Sequence, residues 1–238
     1  MVFEVGKKYN ARTLRSMRQL YETFNDDIWK PLVSKLSWTQ LLIIMPIKDN
    51  NKKMYYVQKC LYKPISKREL QLIIKSKEYE RLDDATKEKI IHNERTNLID
   101  LIPNPIIIKN TNKYENISEK ILQQIIMEDI PSFLESLGNG YTFIKNEYKI
   151  KIGNQYNYID LLLYNYLFNA FIVIELKTTE LKKDHIGQIQ VYMNYIDKYI
   201  KTNNQNKTIG IIICKKDNKY IIEYSSDKRI ITKEYLLI

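Results

Sequence analysis

The spacing of apolar residues differs between the two halves of the chain. In the first half they recur at helical spacing, as at Leu14, Met17 and Phe24, and predict an amphipathic helix over residues 11–24. Ser37 and Ser66 each stand at the start of another periodic stretch, where a serine side chain caps a helix. We therefore expect the first half to be helical.

The second half predicts the element order αβββαβ, followed by further strand. Its first helix begins after Ser118, is interrupted near Pro131 and ends at Gly138. The later elements are predicted, in chain order, as strands 141–152, 156–164 and 170–177, a helix over 183–200, and strands 208–214 and 220–224. Strands and helices mixed in this way indicate an α/β fold built around one sheet.

The prolines at 103 and 105 exclude a regular helix between the halves, and residues 101–116 are interpreted as a linker. The chain of 238 residues is long enough for two domains. We expect a helical domain over residues 1–115 and an α/β domain over residues 116–238.

The stretch FIVIELK, residues 171–177, is an apolar strand that ends in an acid and a base, Glu175 and Lys177. Alternation places both on the same face as Val173. The strand before it carries Asp160 among leucines, where a charge is costly unless it is paired or bound to metal. Asp160 and Glu175 are equally distant from the middle of the turn between the strands, so a hairpin would bring the two carboxylates together.

Two adjacent carboxylates repel each other, and a hard divalent cation removes that repulsion. We therefore expect Mg²⁺ or Mn²⁺ at Asp160 and Glu175, with Lys177 orienting water or stabilising negative charge. The implied reaction is hydrolysis of a phosphodiester. The spacing alone is equally compatible with a buried Asp–Lys–Glu ion network that has no catalytic role.

The motif Asp160, fourteen residues, then Glu175-Leu176-Lys177 resembles the PD-(D/E)xK nuclease signature. The wider sequence resembles the bacterial YhcG-like family, with its N-terminal helical, winged-helix-like domain. The resemblance covers nearly the whole chain and is carried by LRSMRQLYETF, LSWTQLL, ISKREL, FLESLGNGYTFI, YNYIDLLLYN, FIVIELK, GQIQVYMNYID and TIGIIICK. It implies a restriction-endonuclease-like αβββαβ core, a metal-dependent endonuclease activity and a helical domain that binds nucleic acid or dimerises. The resemblance begins partway into that helical domain, which implies that the domain's first helix or two are absent here.

The resemblance also implies roles for residues outside the motif. Gln188 and Tyr192 match a Gln-x-x-x-Tyr element, whose spacing places both on one helix face toward the site. The family usually has Glu-Leu-Gly where this chain has Ser136-Leu137-Gly138, and that glutamate often joins the metal site. The neighbouring Glu135 is the expected substitute ligand, although an uninterrupted helix would turn it away from the apolar face.

The net charge of +10 favours a polyanionic partner, although lysine is frequent throughout the chain. Residues 1–110 hold 21 basic and 13 acidic side chains. The expected nucleic-acid contacts in this half are Arg12, Arg15, Arg18, Lys67 and Arg68. The alternative is that these are ordinary solvated faces of helices that pair two subunits.

Cys60 and Cys214 are far apart and in apolar contexts, which predicts buried free thiols and a reducing compartment. We find no signal-peptide pattern at residue 1 and no apolar run fit to span a membrane, so a cytoplasmic location is expected. The function predicted is a metal-dependent nuclease acting on DNA rather than RNA, with a possible homodimer. The alternatives are an inactive nucleic-acid-binding protein on the same fold, or a dimerising scaffold.

Overall fold

The computed structural model describes residues 10–62, 64–92, 94, 96–223 and 225–238. The chain divides into a helical unit, formed by residues up to 80 together with 84–96, and a sheet unit, formed by residues 81–83 together with 97–238. Among the described residues, no helix is both long enough and apolar enough to cross a membrane.

Side-chain caps set where the helices of the helical unit begin. The Asn10 side chain accepts the Thr13 N–H, and Ser37 and Ser66 accept the N–H groups of the third helical residues that follow them. Both serine caps confirm the sequence-based predictions. The helices are α1 Ala11–Thr23, α2 Lys30–Val33, α3 Trp38–Ile44, α4 Asn50–Tyr62, α5 Lys67–Lys75 and α6 Asp84–Ile91.

The core of the helical unit is partly aromatic and contains a buried ion pair. Phe24 and Trp29 pack edge to face, with their ring centroids 5.3 Å apart. Glu78 and Lys59 are both buried and bonded to each other. Because a buried charge is costly unless it is paired, this contact ties α4 to the segment after α5.

In the part of the sheet unit that the structure describes, there are six strands and four α-helices. Its helices are α7 Glu119–Glu128, α8 Ile130–Leu137, α9 Lys183–Tyr199 and α10 Lys219–Glu223. Its strands are β1 Ile106–Ile108, β2 Tyr141–Ile152, β3 Gln155–Asn165, β4 Ala170–Glu180, β5 Asn206–Lys216 and β6 Ile230–Leu237. The elements from α7 to β5 follow the order αβββαβ, which confirms the predicted core.

The sheet order is β1-β6-β5-β4-β3-β2. β2, β3 and β4 pair antiparallel as two successive hairpins, whereas β4, β5, β6 and β1 run parallel. β4 therefore lies inside the sheet, and helices cover both of its faces. Ile172, Ile174 and Leu176 join the apolar cluster under α7 and α8, and Val173 joins the cluster under α9. This is the alternation that the sequence predicted.

Three expectations about the sheet unit were incomplete or wrong. The stretch interpreted as a linker, residues 101–116, contains β1, which pairs with β6. Residues 220–223, predicted as strand, belong to α10, and Tyr224 lies outside the described residues. β6 was not predicted, because its pairing with β1 and β5 comes from segments distant in sequence, whereas the prediction used only local patterns.

α9 approaches β5 closely at Gly210. A Cβ atom built there would lie 2.5 Å from Met193 Sδ and 3.0 Å from Ile189 Cδ1. Both of those side chains are fully buried, so little room exists for them to move. The missing side chain at Gly210 thus sets how near α9 lies to the sheet.

We expect Gly210→Ala to lower the free energy of unfolding by about 1–3 kcal/mol, because it overpacks this contact. The melting temperature should fall by about 2–4 °C for each kcal/mol. The matched control is Gly187→Ala on α9, where an added Cβ meets no atom within 4 Å. That change should raise stability slightly through helix propensity. Equal effects of the two substitutions in thermal melts would contradict the close-packing account.

Candidate active site

Asp160 lies where β3 separates from β4. The pairing between these strands ends at Leu161 and Ile174, so Asp160 and Glu175 are the next residues outward in the same register. The Asp160 carboxylate accepts a hydrogen bond from the Leu176 backbone N–H at 2.7 Å. The backbone carbonyl of Asp160 accepts one from Nε2 of Gln123 at 2.9 Å. The side chain is thereby fixed between the strands at their parting point.

Burial raises the pKa of Asp160 above its ordinary value. The Leu176 N–H and the charge of Lys177 act in the opposite direction, and the carboxylates of Glu119 and Glu147 add to the rise. The charged form of this acid is therefore disfavoured by burial, and a nearby positive charge would stabilise it.

Glu175 is the most deeply buried acid of the site, with 2% of its surface exposed. Its Oε1 accepts Lys177 Nζ at 3.1 Å and Gln188 Nε2 at 2.8 Å. Its Oε2 is buried and has no hydrogen-bond partner among the described residues. Burial first, and then repulsion by Asp160, raise the pKa of Glu175, while Lys177 partly offsets them.

Lys177 links two acids from different elements. Its Nζ lies 3.1 Å from Glu175 Oε1 and 3.3 Å from Glu119 Oε2, and its side chain is 10% exposed. Burial alone would lower the pKa of Lys177, but Glu175, Glu119 and Asp160 together outweigh burial and the net shift is upward. The amine is therefore held as a cation at neutral pH.

Gln188 and Tyr192 lie one turn apart on α9 and face the same acid. Gln188 Nε2 is 2.8 Å from Glu175 Oε1 and 3.1 Å from the Tyr192 hydroxyl oxygen. Burial raises the pKa of Tyr192, so its hydroxyl stays protonated at neutral pH. The predicted placement of the Gln-x-x-x-Tyr pair beside Glu175 matches this geometry.

Glu135 is not brought to the carboxylate pair. It is exposed on α8, and no group of three acidic, histidine or cysteine side chains in the described part of the chain is placed to hold a metal. The neighbouring Ser136 faces inward, and its hydroxyl accepts the Ile107 N–H of β1 at 2.6 Å. Asp129 caps α8 through the Ser132 N–H, which positions Pro131 in the first turn of that helix.

Glu119 was missed by the sequence reasoning. It lies in the first turn of α7, directly after the cap Ser118, and reaches Lys177 with a side chain that is 46% exposed. An acid in the first turn is common in helices for electrostatic reasons alone, so the pattern carried no signal for a site. Only the packing of α7 against β4 brings Glu119 to Lys177.

His185 lies near the same amine. Its Nδ1 accepts the Lys182 N–H at 3.2 Å. Burial and then the charge of Lys177 lower the pKa of His185, so the imidazole is neutral at pH 7.

The family model for the YhcG PDDEXK nuclease domain matches residues 100–237, which is more than half of the chain. The chain belongs to this nuclease family. A second model, the DUF1016 N-terminal domain, matches residues 1–81. The sheet unit thus corresponds to the nuclease domain of the family, and the described helices of the first half fall largely within the second match.

One curated relative is the Escherichia coli (strain K12) protein named "Putative nuclease YhcG". It is 20% identical over an alignment of 196 residues, which covers 79% of this chain and 52% of that protein. The chain therefore spans about half the length of the curated relative it matches.

Solved structures that resemble part of this chain include two endonuclease structures. A repair endonuclease from Pyrococcus abyssi is 17% identical and has a TM-score of 0.34, with 53% of this chain and 49% of that chain covered. The structure named "Structure of EndoMS-dsDNA2 complex" is 19% identical and has a TM-score of 0.35, with 53% and 48% covered.

Asp160 and Glu175 fit a hard divalent cation. The orphaned Oε2 of Glu175 is a buried acceptor that needs a positive partner, and Mg²⁺ commonly uses one or two carboxylates with water and phosphate oxygens. Because the described residues bring only two carboxylates together here, water and substrate would supply the remaining ligands.

The basic residues predicted to contact nucleic acid all lie in the helical unit. Arg12, Arg15 and Arg18 are exposed on α1, and Arg18 pairs with Glu22 at 2.7 Å. Lys67 and Arg68 are exposed in the first turn of α5. Their role remains a prediction.

Neutralising Glu175 should stabilise the metal-free protein. In the folded protein the pKa of Glu175 lies above its ordinary value of 4.5. The contribution of Glu175 to the free energy of unfolding is therefore fully present below pH 4.5 and is lost as pH rises through the pKa of the folded state. In chelator at pH 8, Glu175→Gln should therefore have a higher melting temperature than the natural protein, and its free energy of unfolding should be larger by about 1 kcal/mol. The difference should shrink at pH 4. A lower melting point for the variant at pH 8 would contradict this electrostatic account.

Mg²⁺ or Mn²⁺ should reverse that order. Cation at one hundred times its dissociation constant should stabilise the natural protein by about 2.7 kcal/mol. Glu175→Gln should gain almost nothing, because it lacks the charged Oε2. Glu135→Gln is the matched control and should respond to metal as the natural protein does. A metal response lost in Glu135→Gln would place the cation at α8 instead.

Proposed function

We propose that this chain is a metal-dependent nuclease that hydrolyses phosphodiester bonds in nucleic acid, with DNA as the expected substrate. The observation that carries the proposal is the buried Oε2 of Glu175, which has no hydrogen-bond partner in the described part of the chain and lies beside Asp160 and the charged Lys177. Two repelling carboxylates with an open acceptor are poorly explained as a closed ion network, because such a network satisfies its buried oxygens.

Each residue has a distinct task in this proposal. A divalent cation, when bound, lowers the pKa of a water molecule and polarises a phosphoryl oxygen. Asp160 and Glu175 hold it, and the Leu176 N–H keeps Asp160 oriented. Lys177 stays protonated and donates to oxygen atoms that gain negative charge as the phosphodiester is attacked.

Glu119 and Gln188 are positioning residues. Glu119 and Glu175 hold the Lys177 amine from two sides, which limits the directions in which the remaining N–H can point. Gln188 donates to Oε1 of Glu175 and so leaves Oε2 as its open acceptor. Tyr192 bonds with Gln188 and supports that orientation.

The test of this proposal is metal-dependent cleavage of labelled DNA and RNA by the full chain. Asp160→Asn and Glu175→Gln should abolish cleavage, and Lys177→Ala should reduce it by about 100-fold or more while metal-induced stabilisation remains. Glu119→Gln should lower the rate less, and Glu135→Gln should leave it unchanged. Full activity in either carboxylate variant, or in excess chelator, would refute the assignment.

Assembly is a second candidate role for the helical unit. α1 has no buried residue, and Leu14, Met17 and Tyr21 are exposed along one side of it at positions i, i+3 and i+7. Such an apolar stripe favours contact with another protein surface. The arginines on the same helix favour phosphate instead, so the two roles need separate measurements.

Replacing Arg12, Arg15 and Arg18 together with Gln should flatten the salt dependence of duplex DNA binding if α1 contacts phosphate. We expect the log–log slope to shrink by about 2, since each neutralised phosphate contributes about 0.9 and Arg18 is already paired. The matched control removes three exposed charges elsewhere in the same unit, Lys35, Lys48 and Lys75. An unchanged slope, with a changed sedimentation coefficient, would assign α1 to assembly.

A further inference from the structure

The hairpin of β2 and β3 separates from β4 and the rest of the sheet next to the candidate active site. β3 pairs with β4 only over residues 161–165, whereas it pairs with β2 as far as Ile152 and Gln155. The segment 148–159, which we term the hairpin arm, therefore continues about 20 Å past the last β3–β4 pair, at 3.3 Å per residue. Asp160 is the residue at its base.

One part of the hairpin arm is anchored in the protein core. Ile150 and Ile159 are fully buried in the apolar cluster that also contains Ile189 of α9. The arm is thus held in a fixed position by packing, and its exposed side chains do not depend on a mobile loop.

The opposite face of the hairpin arm is basic and aromatic. Lys149 is directly opposite Tyr158, and Lys151 is directly opposite Tyr156. Because these two pairs are separated by two positions, their four side chains share one face. All four are exposed, with 56% of Tyr156 and 51% of Tyr158 accessible to solvent.

The contacts within this face leave its charges available. Lys149 Nζ lies 3.8 Å from the centre of the Tyr156 ring, and Lys151 Nζ lies 6.0 Å from it. In the described part of the chain, neither lysine has a carboxylate within ion-pair distance. Each ring retains exposed surface that no described side chain covers, and each amine can take an anion.

Lysines interleaved with exposed aromatic rings match the chemistry of a single nucleic-acid strand. Bases stack on aromatic side chains only when they are unpaired, while the phosphates between them contact the lysines. A duplex keeps its bases stacked inside and could use only the charges. The hairpin arm also lies close to the candidate active site. Tyr158 is only two residues from Asp160, a rise of about 7 Å along the strand.

We infer that the hairpin arm binds an unpaired stretch of a nucleic-acid strand beside the phosphate to be cut. This inference rests on the proposed function, and it narrows the substrate to nucleic acid with a single-stranded segment at the site. Tyr156 and Tyr158 stack on bases, and Lys149 and Lys151 contact phosphates.

The experiment measures binding of dye-labelled oligothymidine and of a duplex of equal length by fluorescence anisotropy, with the full chain in chelator. Tyr156→Ala with Tyr158→Ala should weaken binding to the single strand at least tenfold and binding to the duplex less than threefold. Tyr156→Phe with Tyr158→Phe keeps both rings and should bind the single strand as the natural protein does.

The two lysines are tested by the salt dependence of binding. Lys149→Gln with Lys151→Gln should reduce the log–log slope on the single strand by about 1.4, since each phosphate contributes about 0.7. Thermal melts of every variant establish that it is folded. Single-strand binding equal to that of the natural protein in the Ala pair, or a Phe pair as weak as the Ala pair, would overturn the inference. Equal losses on both oligonucleotides would also overturn it.

Cleavage with Mg²⁺ is measured separately, so that the two proposals can fail independently. Ring-dependent single-strand binding without any cleavage would support the binding role of the hairpin arm and refute the nuclease activity. Cleavage by the natural protein, together with unaltered single-strand binding by the Ala pair, would support the activity and refute the role of the hairpin arm.

Discussion

The structure of the site depends on the burial of two like charges where two strands part. Asp160 and Glu175 are adjacent in the hairpin register, and both have pKa values raised by burial. Almost every neighbouring polar group acts on one of them: Leu176 N–H on Asp160, and Lys177 and Gln188 on Glu175. These contacts allow the two acids to lie side by side in the fold. They leave Oε2 of Glu175 without a hydrogen-bond partner among the described residues.

That arrangement connects stability with chemistry. A metal-free site carries the cost of desolvated, mutually repelling carboxylates, and a cation would remove that cost and would activate a bound water molecule. The same acids that would make the site useful therefore make the sheet unit less stable without metal. Neutral substitutions remove this cost and the chemistry together, which is a common trade between stability and activity at functional sites.

Much of the site could be predicted because its geometry is local. Asp160 and Glu175 meet through one hairpin with a short turn, and the spacing of Gln188 and Tyr192 needs only one helix. Glu119 could not be found this way, because its position depends on how α7 packs against β4, fifty-eight residues away from Lys177. Ser136 illustrates the opposite error: its departure from the family pattern directed attention to Glu135, but its hydroxyl bonds to the backbone of β1, a strand the sequence did not reveal.

The sheet order has a consequence for how the fold is completed. β6 lies between β1 and β5, and the pairing of Ile106 with Tyr235 closes a loop that contains all the candidate catalytic residues. The entropy of closing so long a loop must be met before β1 can pair with β6, so this edge of the sheet should form late. The hairpins that carry Asp160 and Glu175 require far shorter closures. The carboxylate pair can thus come together early in folding, inside a sheet whose far edge joins only at the end.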